Sequence, residues 1–300
     1  MIAAVVLNWN LADMTLRCVR ELIGDGLQAE EIVVVDNGSA SGEADRLRRD
    51  LPSGVHMLAL PENIGYARAS NAGAAERPDA DSYLFVNNDA FPHEPGSARR
   101  LVAALGRNGV GIAVPRLLNE DLTLQPSVVP FRSPAIALAL ASGLSRHIPN
   151  RWQPHWSTHW DHGTSRFVHA AAGTVTAVRG DVWRDLRGYA ERELMFSEDI
   201  DLCWRARKRG HRTWFEHDAV FVHLGDASGH ARTNTKRSEL IAESDASMIR
   251  DELGPAAARV TIGILVAGYA VRSVVFTAAR REAAAASARA ALRGYLKRLA

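Results

Sequence analysis

The chain has 300 residues, 47% hydrophobic and 23% charged: a globular composition, long enough for one large domain or two small ones. A net charge of +2 is too small to argue for a nucleic-acid partner, although Arg and Lys gather after residue 205. Two cysteines, Cys18 and Cys203, with neither CxxC nor metal-type spacing, exclude a disulfide scaffold and point to a reducing compartment.

The opening "MIAAVVLNWN" lacks a charged n-region and a small-residue cleavage site, so it reads as a buried strand rather than a signal peptide. Short apolar runs then alternate with helical patterns. Strands are expected at 2–9, 31–36, 55–60, 82–87 and 110–115, and helices at 11–22, 42–50, 65–77 and 94–105. Repeated βα units imply an α/β, mostly parallel sheet with helices on both faces. In such sheets ligands bind beyond the carboxyl ends of the strands. Asp36 closes the second strand and Asp89 follows the fourth, so "VDNGSASG" and "FVNNDAFP" become candidate site loops on one edge. Each alone is also an ordinary Asx-type turn.

The pattern changes after residue 115. "LTLQPSVVPFRSP" looks like loop, and 151–167 carries Trp152, Trp156, Trp160, His155, His159 and His162 in a polar stretch. Indole faces suit stacking on sugar rings or apolar acceptors, which makes Trp156 and Trp160 acceptor candidates. The histidines lack the tight spacing of a metal site. "FVHAAAGTVTAVRG" returns to strand, and so does 213–229, with His223 within it.

"MFSEDIDLCWRARKRG" (195–210) places Glu198, Asp199 and Asp201 at a helix start and bases at its end, matching the helix dipole. Ser197 is the expected N-cap and Gly210 the expected stop. Ile200, Cys203 and Trp204 share one face. These local signals explain the stretch as a capped helix, and leave open whether its carboxylates do chemistry.

The tail differs again. Residues 260–279 contain one charge, Arg272, and run into "RREAAAASARAALRGYLKRL". A basic amphipathic helix on a membrane surface is favoured over a packed helix or a spanning one. Its apolar side would be Val260, Ile262, Ile264, Leu265, Val266, Val271, Val274, Val275 and Phe276. Its charge would come from Arg272, Arg280, Arg281, Arg289, Arg293, Lys297 and Arg298.

"VVLNWN", "VVVDNGSASG", "PENIGYARASNAG", "LFVNNDA" and "ELMFSEDIDLCWRARKRGH", in that order over about residues 2–230, resemble the family 2 inverting glycosyltransferases, in particular the bacterial rhamnosyltransferase-like branch. The resemblance implies a GT-A fold and a nucleotide-sugar donor. It implies that Asn8, Asp36, Asn63, Arg68, Asn71, Asn88 and Asp89 line the donor nucleotide site. It also implies that Asp89 and His223 approach a divalent Mg²⁺ or Mn²⁺. Asn87-Asn88-Asp89 departs from the family's DXD pattern, since only Asp89 is acidic. In the family the acid of the "ED" pair removes the acceptor proton, which carries over to Asp199 with Glu198 beside it. Trp204 joins Trp156 and Trp160 on the acceptor side.

Physical chemistry supplies a reason for each part. A carboxylate must take the hydroxyl proton as the new bond forms, and a hard cation on carboxylate oxygen assists a leaving diphosphate. The expected division is a catalytic domain at 1–255, with a nucleotide-sugar-binding half at 1–115 and an acceptor-binding half at 116–255, followed by a helical tail at 256–300. The expected activity is sugar transfer, rhamnose from a dTDP-sugar being favoured by resemblance, to a glycan, lipid-linked or small-molecule acceptor. The expected place is the cytoplasm, with peripheral association at the inner face of the plasma membrane. A homodimer stays open. The competing readings are a nucleotide-sugar-binding protein with an eroded site and a nucleotidyltransferase. "NWNLADMT" lacks the Gly- and base-rich loop the latter calls for.

Overall fold

A computed structural model describes residues 1–143, 147, 160–191, 197–225 and 235–299. The chain forms two compact units. The first comprises Met1–Val129, Trp160–Glu191 and Glu198–Gly225, and the second Pro130–His159, Arg192–Ser197 and Asp226–Ala300.

The first unit opens with β1 (Ile2–Asn8), α1 (Ala12–Gly24), β2 (Ile32–Asn37), α2 (Glu43–Asp50), β3 (His56–Leu60), α3 (Tyr66–Ala75) and β4 (Ser82–Asn87). The strands of the βα units pair in parallel in the order β3-β2-β1-β4. Their Val- and Ile-rich runs are buried on both faces, as a sheet covered on both sides demands. α1 turns Ala12, Leu16, Val19 and Leu22 inward at helical spacing. β5 (Ala90–Pro92), α4 (Ser97–Ala103), β6 (Val110–Leu118), β7 (Leu124–Gln125) and β8 (Val128–Val129) follow.

Between the two runs of the first unit lies α5 (Pro134–Ser142), which belongs to the second unit. The chain then returns as β9 (Arg166–Val168), β10 (Ala170–Ala171), β11 (Val175–Arg179), α6 (Gly180–Leu186), α7 (Glu198–Lys208) and β12 (Arg212–His223). The full sheet order is β3-β2-β1-β4-β11-β6-β12-β5, with β7 on β6 and β9 on β12. β11 runs antiparallel between β4 and β6, while β12 is parallel to β6. The expected mixed α/β sheet, mostly parallel in its long strands, is therefore present. The stretch 167–180, expected as one strand, is three short ones broken around Gly173. The loop expected at 122–134 carries β7 and β8.

Register puts the site edge together. Asn8 stands opposite Asp36, and Leu7 opposite Asn87, so the carboxyl ends of β1, β2 and β4 are level.

The second unit is helical: α5, α8 (Thr235–Leu253), α9 (Pro255–Ala278) and α10 (Glu282–Leu296). Ala137, Ala246, Ile249, Ile262, Leu265 and Tyr295 are among its core residues. A buried ion pair, Arg132 to Asp245 at 3.0 Å, sits inside it, and the Tyr295 hydroxyl donates to the same carboxylate at 2.6 Å. The tail is thus one part of a helix bundle that also takes residues 130–142 and 235–253.

Candidate active site

Two groups of residues occupy the first unit's candidate site. One lies on the level strand ends. Asn88 donates its amide to the Thr15 hydroxyl (3.0 Å), Thr15 donates to Asn8 Oδ1 (2.8 Å), and Asn8 donates to Asp36 Oδ1 (2.7 Å). Ser39 donates to the same Asp36 oxygen at 2.5 Å. Every donor in this relay points toward Asp36.

The relay changes what Asn8 can do. It is fully buried with both ends of its amide engaged, so it orients Asp36 instead of touching a nucleotide. Asp36 is 2% exposed, and its Oδ2 takes only a long 3.3 Å bond from the Ser39 N–H, which leaves acceptor capacity on that oxygen. Thr15 and Ser39 are functional candidates that sequence reasoning missed.

Beside this relay the Asn37 amide donates to Asn63 Oδ1 (3.1 Å) and accepts from the Ile64 N–H (3.0 Å). A Cβ on Gly38 would stand 2.1 Å from the Glu62 carbonyl carbon, so only glycine lets these loops meet. Arg68 is exposed and pairs with Glu191 at 3.4 Å. Asn71 clips the 189–191 segment: it donates to the Tyr189 carbonyl (3.0 Å) and to Glu191 (3.1 Å), and accepts from the Tyr189 N–H (2.9 Å).

Asp89 and His223 come together, as expected. Asp89 Oδ1 lies 3.3 Å from His223 Nε2, both side chains being largely buried. Gln125 fixes the tautomer. Its Nε2 donates to Asn119 Oδ1 (3.0 Å) and toward the His223 carbonyl (3.5 Å), which turns Oε1 to His223 Nδ1 at 2.7 Å. Nδ1 must then carry the proton, so a neutral ring presents the Nε2 lone pair to a carboxylate. That arrangement is favourable only when the ring is protonated or a cation stands between them. Two neighbouring ligands of one divalent ion stand about 3 Å apart, so this 3.3 Å pair would suit a divalent cation. The Nδ1–H bond to Gln125 supplies the outer-shell support such a histidine uses. Among the described residues no group of three ligating side chains exists.

The second group surrounds Asp199. Its Oδ1 accepts the Ile200 N–H at 2.8 Å and its Oδ2 accepts the Gly173 N–H. Burial pushes its pKa up, and these backbone donors oppose that only in part. The Tyr66 hydroxyl donates to the Gly173 carbonyl at 3.4 Å. Burial, then the nearby Glu198 and Asp199 carboxylates, push the Tyr66 pKa up. Gly173 is a tight fit, because a Cβ there would lie 2.8 Å from Asp199 Cβ. The carbonyl of the next residue, Thr174, accepts the Asn87 N–H at 2.9 Å, which ties this carboxylate to the end of β4.

α7 departs from expectation at its start. Ser197 has φ 81°, not the extended backbone of an N-cap, and Asp199 satisfies the first-turn donor at Ile200. At its end Gly210 is the expected stop: its N–H bonds Arg207 O, and His211 N–H bonds Ala206 O. The helix buries Asp201, Leu202, Cys203 and Ala206, whereas Ile200 and Trp204 stay half-buried. Asp201 and Arg205 are structural: Arg205 grips Asp201 (2.7 Å) and the carbonyls of Leu186 (2.8 Å) and Gly188 (2.9 Å).

The aromatic expectations divide. Trp156 lies outside the described residues. Trp160 is core: 4% exposed, with His162 stacked at 4.7 Å, Arg166 over it at 3.6 Å and Phe215 edge-on at 5.0 Å. Its faces are covered, so it offers no stacking surface to an acceptor. Trp204 keeps partial exposure beside Lys208.

Residues 3–130 match the protein-family model for glycosyl transferase family 2. The N-acetylglucosaminyl-diphospho-decaprenol L-rhamnosyltransferase of Mycobacterium tuberculosis is 27% identical over 217 residues, covering 69% of this chain and 68% of its own. The pre-mycofactocin glycosyltransferase of the same organism is 27% identical over 197 residues, covering 66% of this chain and 38% of its own. A mannosyltransferase from Pyrobaculum calidifontis, solved with GDP-Man and Mn²⁺, superposes with a TM-score of 0.62 at 14% identity, over 99% of this chain and 86% of that one. TarS of S. aureus with UDP-GlcNAc gives 0.54 at 15% identity, over 89% and 71%.

The protein is thus a glycosyltransferase, an enzyme of sugar transfer built on the GT-A fold. Its residues 3–130 match the family 2 domain, and the chain is similar to a rhamnosyltransferase.

Proposed function

We propose that the enzyme transfers a sugar with inversion from a nucleotide-diphospho-sugar, Asp199 being the general base. The observation that carries this reading is the Asp199 carboxylate. It is held by two backbone N–H groups, raised in pKa by burial, and tied through Gly173–Thr174 to the end of β4. A base of raised pKa is better matched to neutral pH than an ordinary aspartate, whose pKa is about 4. In the reaction the acceptor oxygen attacks the anomeric carbon and Asp199 takes its proton. The bond from that carbon to the diphosphate oxygen breaks, and the electron pair leaves with the diphosphate. Attack opposite the departing group inverts the configuration.

On the donor side, Asp36 Oδ2 receives an N–H or hydroxyl of the nucleoside, and Asn63, Arg68 and Asn88 border that edge. Asp89 and His223 would hold Mg²⁺ or Mn²⁺, which supplies charge neutralisation to the diphosphate when bound. The Mn²⁺ of the superposing mannosyltransferase supports a divalent ion as cofactor. The donor is proposed as dTDP-rhamnose and the acceptor as a lipid-linked saccharide, on the strength of the mycobacterial relative's name. The place of action is the inner face of the plasma membrane. Single-turnover assays with dTDP-, UDP- and GDP-sugars and a polyprenyl-diphospho-saccharide test this, with product configuration read by NMR. Transfer with retention, or from none of these donors, would refute it.

A further inference from the structure

α9 is the one helix among the described residues long and apolar enough to cross a bilayer, yet only one of its sides is covered. Ala258, Thr261, Ile262 and Leu265 are buried within the helical unit. Val260, Ala267, Val271, Val274 and Ala278 are exposed, with Val275 beside them. Successive gaps of seven, four, three and four residues from Val260 to Ala278 keep these positions on one face of a 24-residue helix. The stripe contains no charge. Arg272, the one charge within 260–279, is turned aside: its guanidinium donates to the Leu140 carbonyl at 2.6 Å, at the end of α5. α5 adds its own exposed Leu138, 60% accessible.

The charges around this surface are also redistributed. Arg293 pairs with Glu239, Lys297 with Glu239 and Glu243, and Arg298 with Glu243, while Arg289 donates to Thr277. Arg280 and Arg281 are exposed where α9 ends and have no acidic partner among the described residues.

We infer that the α9 stripe, with Leu138 of α5, docks on the surface of an anionic lipid bilayer. Only the benefit of such docking to the enzyme rests on the proposed lipid-linked acceptor. A bilayer asks only for apolarity along the stripe and for anions near Arg280 and Arg281. A protein partner is less well matched, because anchoring residues at protein interfaces are enriched in Trp, Tyr and Arg, and the stripe is Val and Ala. The docking is interfacial rather than spanning. To span, α9 would have to leave the helices that bury its other side, or carry their Arg132–Asp245 pair into hydrocarbon. Contact runs through the uncharged stripe, so the attachment is mostly apolar and resists salt.

Flotation of the full chain with vesicles of equal phosphatidylcholine and phosphatidylglycerol tests the inference, alongside donor binding. Wild type should float at low and high salt and be released by carbonate. Val271→Glu/Val274→Glu should float about tenfold less or worse, and Leu138→Glu less than wild type, each with unchanged circular dichroism and donor affinity. Wild type that binds donor but stays at the bottom would overturn the inference. So would variants that float like wild type, carbonate-resistant protein, or a soluble dimer dissolved by the double substitution. Flotation with transfer only to a soluble acceptor would overturn the acceptor reading and leave the docking standing.

Discussion

The Gly173 backbone N–H donates to Asp199 Oδ2, and the Gly173 Cα packs so closely on that side chain that a Cβ would meet Asp199 Cβ at 2.8 Å. One residue without a side chain therefore sets both the position and the hydrogen bonding of the proposed base. Gly173→Ala should displace the carboxylate and lower kcat by about 10²-fold, with the donor KM little changed. Steady-state kinetics on the folded variant decide this. An unchanged kcat would show that Asp199 is not held there for chemistry.

The pH dependence follows from the burial of the same carboxylate, which outweighs its backbone hydrogen bonds. Asp199 must be ionised to accept a proton, and burial raises its pKa. Transfer should therefore fail as pH drops through that raised value, with an acidic limb above the ordinary aspartate range of about 4. An acidic limb at the ordinary value, with the fold intact, would contradict the burial argument.

For the metal side, the prediction concerns a residue that contacts no ion. Gln125 fixes the His223 proton on Nδ1. Gln125→Leu should weaken Mn²⁺ binding by 10- to 100-fold, roughly what loss of outer-shell support costs, and Asp89→Ala should weaken it further. Isothermal titration with Mn²⁺ and nucleoside diphosphate measures both. Full wild-type activity in EDTA would remove the metal from the account.

Arg205 yields a stability prediction. It holds Asp201, whose side chain is 1% exposed, together with two carbonyls. Arg205→Met takes the guanidinium away from that buried carboxylate and from both carbonyls, at a cost of up to roughly 3–5 kcal/mol. A thermal melt close to wild type would show that the remaining contacts of Asp201 suffice.

How far the sequence discloses this molecule depends on the range of each interaction. The strands ending at Asn8, Asp36 and Asn87 are legible because apolar runs stop at polar residues, and parallel pairing then levels their ends. β5, β7, β8 and β10 are two or three residues long and carry no periodicity to read. α5 hides in "PAIALALAS", which is apolar all round and reads as neither helix nor strand. Asp89, His223 and Asp199 stand out because their residue types carry chemistry. Thr15, Ser39, Gln125 and Gly173 do not: they become functional through partners met only on folding, as Gly173 does with Asp199 and Gln125 with His223. Trp160 misleads for the same reason, since Arg166, His162 and Phe215 cover it only in the folded chain.

Two readings on one sample of Asp199→Asn decide whether this carboxylate is the base. Transfer is measured in a single turnover, and donor affinity by titration. Transfer should fall roughly 10²–10⁴-fold with donor affinity within a few-fold of wild type. Transfer within a few-fold of wild type by the folded variant would contradict it and remove Asp199 from the role of base.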